Sequence, residues 1–115
     1  MDILPEIVAA VGGRAPIIID GGFNRGTDIV KALAAGADLV GLGRMQCIGL
    51  AADGQAGLTH LLEILEHEVR TCLGLLGVST FAELDRSYLH PAPAVDPGQA
   101  LGAFPLLGLE EKSFY

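Results

Sequence analysis

The chain has 115 residues, half of them apolar, and 14 acidic against 7 basic side chains give it a net charge of −7. That apolar content suffices for a core and argues against a disordered chain, while the acidic balance without a basic patch argues against a nucleic-acid partner. A complete barrel of eight βα units needs about 250 residues, so this length holds roughly a quarter of one. Glycines interrupt the long uncharged stretches, and residues 1–12 carry Asp2, Pro5 and Glu6 without a basic start. Neither a transmembrane span nor a signal peptide is therefore expected, and the expected location is cytoplasmic. Cys47 and Cys72 have no metal or C-x-x-C spacing and are expected to be free thiols.

In chain order, residues 1–11 predict a helix: Pro5 suits a first turn, Ile3, Leu4, Ile7 and Val8 form an apolar stripe, and Gly12 can supply the left-handed stop. Residues 15–20 are short, apolar and β-branched, as in a parallel strand buried on both sides. Gly26 or Thr27 then caps a second helix, with Asp28 in its first turn, Ile29, Val30, Leu33 and Ala34 inward, and Gly36 at its end. A second buried strand is expected over 37–42. Residues 45–52 can form a short extra helix, broken by Gly54. Residues 55–76 predict the longest helix, with Leu58, Leu61, Leu62, Leu65, Val69, Cys72, Leu73 and Leu76 on one face and Glu63, Glu66, Glu68 and Arg70 largely on the other. Thr80 and Glu83 have capping-box spacing for a last short helix. From His90 onward four prolines interrupt an otherwise apolar stretch, which reads as an extended arm that docks on something. The order strand, helix, strand implies a parallel α/β arrangement.

The chemistry concentrates at the two strand ends. Asp20-Gly21-Gly22-Phe23-Asn24 follows the first strand, and Gly43-Arg44 follows the second. Glycine lets backbone amides approach an anion without a Cβ in the way, and arginine adds a fixed cationic fork. In βα barrels the loops after the last two strands and the N-terminus of a short extra helix often hold a phosphate, and residues 45–52 supply such a helix. Other candidates are weaker. His60, Glu63 and His67 share one helical side without a metal-site signature, His90 precedes a proline in a loop, and Lys31 is expected on an exposed face. Asp38 is expected as a polar group of the helix-to-strand loop. Asp20 stands at the end of a strand, where a hydrogen bond to a bound ligand and a structural contact with loop amides are both open to it.

The run D-G-G-F-N-R-G-T-D-I-V-K-A-L-A-A-G-A-D-L-V-G-L-G-R resembles the end of the FMN-dependent α-hydroxy acid oxidase and dehydrogenase family. The resemblance continues through G-L-A-A-D-G-Q-A-G-L, L-L-G-V and F-A-E-L-D-R-S-Y-L, and covers about residues 3–89. It implies an α/β fold that is the C-terminal portion, the last two βα units, of a (β/α)8 TIM barrel. Residues 1–89 would belong to the barrel domain and residues 90–115 to an extended tail. It further implies FMN as cofactor, held by Asp20, Gly21, Gly22, Phe23, Asn24, Gly43 and Arg44, and oxidation of a small 2-hydroxy acid to the 2-oxo acid in a complete enzyme. A homo-oligomer and a complementary N-terminal chain are the expected partners. The family commonly has arginine where this chain has Asn24, which leaves Arg44 as the principal phosphate cation. The S-N-H-G-G-R motif that carries the family's catalytic His and Arg is absent, so no catalytic residue is assigned. Alternatives are a fragment of another phosphate-binding barrel, resembling inosine monophosphate dehydrogenase or type 2 isopentenyl diphosphate isomerase, and a non-catalytic assembly fragment.

Overall fold

A computed structural model describes residues 2–92. Most of the tail expected over 90–115 therefore lies outside the described residues. Helix α1 (Leu4–Val11) has Pro5 in its first turn and stops at Gly12, whose φ of 56° only glycine adopts readily. Strand β1 (Ile18–Asp20) leads through the glycine loop into helix α2 (Gly26–Ala34), and strand β2 (Leu39–Gly41) leads into α3 (Arg44–Leu76). Two 3-10 turns follow, at Phe81–Glu83 and Arg86–Tyr88. The strands pair in parallel with Ile18 opposite Leu39, Ile19 opposite Val40 and Asp20 opposite Gly41. Both therefore run in one direction and deliver their following loops to the same end of the sheet.

The expectation of strands buried on both sides is corrected. Ile19 and Val40 pack against the core of Leu4, Phe23, Ala32, Ala35 and Ala37, whereas Ile18 is 63% and Leu39 57% exposed. Successive side chains of a strand point to opposite faces, and α2 covers only one face of this pair. The other face carries apolar side chains with nothing described above them. The strands are also shorter than expected, because each ladder ends where its partner does. At the entrance to β1, Asp38 accepts a hydrogen bond from the Ile17 amide (2.7 Å) while its own amide donates to the Ile17 carbonyl (2.9 Å). The expected loop carboxylate thus ties the start of one strand to the start of the other.

α3 is two helical segments joined at a break, as the glycine at 54 predicts. Asp53 (φ −157°, ψ 44°) and Gly54 (φ 50°, ψ −134°) leave helical geometry between residues 44–52 and 55–76. The segments fold back closely enough that a Cβ on Gly49 would lie 3.1 Å from the Gly57 carbonyl oxygen. Of the apolar face expected on the long segment, Leu65 and Val69 are buried, but Leu62 is 47% exposed. α2 and α3 form the principal helix pair of the described residues. After Gly77 the predicted capping box is present: one oxygen of Glu83 accepts from the Thr80 hydroxyl (2.9 Å) and from the amides of Thr80 (2.7 Å) and Ser79 (3.0 Å). The Thr80 hydroxyl first, and then the two amides, hold the Glu83 carboxyl below its ordinary value. The turn it caps is 3-10 rather than α-helical.

Candidate functional site

The loops after β1 and β2 meet in one cleft of about 280 Å³, walled by Gly21, Gly22, Phe23 and Asn24 on one side and by Leu42, Gly43, Arg44, Met45 and Ile48 on the other. Six of the seven residues singled out from the sequence line it. Gly21 (φ 84°) and Gly22 (φ 82°) hold left-handed backbone, and a Cβ at either would meet open space. Conformation, not crowding, requires glycine there. Gly43 (φ 55°) also lies close to the opposite wall, since a Cβ on it would stand 3.4 Å from the Gly21 Cα. Phe23 borders the cleft, but it is 3% exposed and belongs to the core.

The amides near the cleft divide into two groups. That of Gly21 donates to the Gly41 carbonyl (2.9 Å) and extends the sheet. Those of Asn24 (3.2 Å) and Arg25 (3.1 Å) both donate to one oxygen of Asp28. That of Gly26, the first residue of α2, donates to Glu68 (2.7 Å), whose other oxygen pairs with the Arg25 guanidinium (2.7 Å). The N-terminus of α2 is thus filled by the protein's own carboxylates. The Gly26 amide first, and then the Arg25 side chain, hold the Glu68 carboxyl below its ordinary value of 4.5. Among the described residues, the amides of Gly22, Phe23 and Gly43 have no hydrogen-bond acceptor. The N-terminus of α3, carrying Arg44, opens at the same place. The expectation for Asn24 is accordingly narrowed: its residue lines the cleft, but its amide is engaged with Asp28.

Asp20 lies beside the cleft rather than in its wall. It projects on the uncovered face of the sheet, against Gly41, where any Cβ would collide with its Oδ1. Among the described residues no loop amide bonds its carboxylate. His60 pairs with Glu63 at 3.6 Å on an exposed surface, and no group of metal-ligating side chains occurs among the described residues. Lys31 is exposed, as expected, and so is His90. Cys47 and Cys72 are free thiols. Sequence reasoning missed Glu68, placed on the outer face of the long helix. Its partner lies 42 positions away, beyond the reach of helical periodicity. Among the described residues, no helix is long and apolar enough to cross a membrane.

The family model described as FMN-dependent dehydrogenase matches residues 1–91. An L-lactate oxidase of a Nostoc species is 50% identical over 90 residues, covering 78% of this chain and 25% of the relative. The 2-hydroxyacid oxidase 1 of Homo sapiens is 42% identical over 93 residues, covering 81% of this chain and 25% of the relative. Among solved structures, an (S)-mandelate dehydrogenase described as a monotopic membrane protein superposes with a TM-score of 0.75 at 41% identity, covering 80% of this chain and 24% of that one. A mandelate oxidase variant holding an FMN adduct superposes with a TM-score of 0.68 at 46% identity, covering 70% of this chain and 25% of that one. The chain spans about a quarter of the length of these relatives, and it belongs to the FMN-dependent dehydrogenase family.

Proposed function

We propose that the chain supplies the FMN phosphate site, as the last two βα units of a (β/α)8 barrel, in an oxidoreductase that converts an α-hydroxy acid to its 2-oxo acid. The observation that carries this reading is the convergence of two glycine loops, one from each of two parallel strands, on a single cleft beside a helix N-terminus. A phosphate dianion fits it. The amides of Gly22, Phe23 and Gly43 can donate to its oxygens, the N-terminus of α3 contributes a positive dipole end, and Arg44 contributes charge. The open side of Gly21 and Gly22 lets the ligand approach the backbone. Asp20, on the neighbouring strand end, is suited to a hydroxyl-bearing part of the cofactor rather than to its phosphate, since two anions would repel.

When bound, FMN would supply the capacity to accept the two electrons lost by the hydroxy acid. The residues of this chain bind and orient; none is assigned a proton or hydride step. The bare face of β1 and β2, with Ile18 and Leu39 exposed, is consistent with burial by further strands in a complete barrel. A complementary N-terminal chain or a homo-oligomer would provide that cover, in the cytoplasm. The family match does not favour the inosine monophosphate dehydrogenase-like or isomerase-like alternatives. Flavin titration of the purified chain, alone and with a family N-terminal segment, tests the reading. Saturable FMN uptake with a flavin absorbance is expected from the completed assembly, and its absence there would refute the proposal.

A further inference from the structure

We infer that Glu68 is a positioning residue for the glycine loop, setting the separation of the two walls of the cleft. This rests on the reading of that cleft as the phosphate site. Asp28 organises residues 24–25 locally, from within the same helix. Glu68 is the long-range tie. It grips Gly26 and Arg25, immediately after the loop, from the long segment of α3. That segment is packed through Gly57 against Gly49 of the short segment, whose beginning forms the opposite wall. A continuous path of contacts thus runs from one wall through Glu68 to the other. Gly26 permits it, because a Cβ there would stand 2.6 Å from the Val69 amide nitrogen. The carboxylate also occupies the α2 N-terminus and neutralises Arg25, so neither competes with the α3 end for an anion.

The test uses the full chain completed by a family N-terminal segment, with FMN and riboflavin as probes and Glu68→Gln beside Glu68→Ala. Gln keeps the length and an acceptor for the Gly26 amide but loses the charge on Arg25. Hydrogen exchange read by mass spectrometry should quicken at residues 21–26 in both variants, more in the Ala variant, and stay unchanged at residues 44–52. FMN affinity should fall about tenfold in the Ala variant, the scale of one lost charge-assisted contact. Riboflavin, which lacks the phosphate, should bind as before. Unchanged exchange at 21–26, faster exchange throughout the chain, or equal losses for the two flavins would each overturn the inference. If the completed assembly takes up no FMN while exchange still quickens only at 21–26, the phosphate reading of the cleft fails and the hold of Glu68 on the loop stands.

Discussion

The N-termini of α2 and α3 follow the two parallel strands in the same way, and each comes after a glycine-containing loop. Their chemistry is opposite. At α2, two carboxylates from the protein itself, Asp28 and Glu68, take the amides of Asn24, Arg25 and Gly26. At α3, the first turn opens on the cleft with Arg44 in its wall. A helix N-terminus is an anion site in either case. One is completed internally and braces the structure; the other borders the cleft that we propose holds the phosphate. A repeated strand–loop–helix pattern therefore does not imply two equivalent binding sites. At α2 the decisive variable is which acidic side chains the fold brings back to the helix end.

The contrast can be broken most strongly at Gly26. Changing it to Ala forces a Cβ into the Glu68 and Val69 backbone, and overpacking of this kind costs about 1–3 kcal/mol. Urea unfolding followed by circular dichroism should show a lower midpoint. At the other helix end, Arg44→Ala should weaken FMN by about 1.5–3 kcal/mol while leaving riboflavin affinity little changed. Isothermal titration of both flavins checks this, and an unaltered FMN affinity would remove Arg44 from the site.

A smaller effect concerns acid. Glu68 titrates below its ordinary 4.5 in the folded chain, so its contribution is complete above that value and disappears as pH falls through the depressed folded-state value. Urea midpoints measured across that window should decline less steeply in Glu68→Gln than in wild type. The smallest change is expected away from both helix ends. Arg70 pairs with Glu66 on the exposed side of α3 (2.7 Å), and such pairs contribute about 0.3–0.5 kcal/mol. Arg70→Ala should leave flavin titrations unchanged and shift the unfolding midpoint barely at all.

Much of the local architecture was legible. Gly12, Gly54 and Gly77 mark chain breaks because their positive φ is a property of glycine itself. The Thr80–Glu83 cap is a contact over three residues, which spacing alone can reveal. The glycine loop and Gly43-Arg44 were readable as one candidate site, since two parallel strands must present their ends together. Other features were not legible. Two strands without further neighbours imply an exposed apolar face, but which residues carry it was not legible, because Ile18 and Leu39 look identical in sequence to residues buried on both sides. Glu68 looked like a solvated helix position because the outward face of a helix is defined only by what packs against it.

The elements, their order, the two glycine loops and the family were readable along the chain, since all depend on local conformational preference or on residue identity. Packing in three dimensions set which strand face is bare, that Phe23 serves the core, and that the α2 end is capped by Glu68. Those outcomes depend on contacts between residues tens of positions apart. Glu68 and Gly26 meet because α2 packs on α3, and no periodicity within either segment encodes that meeting.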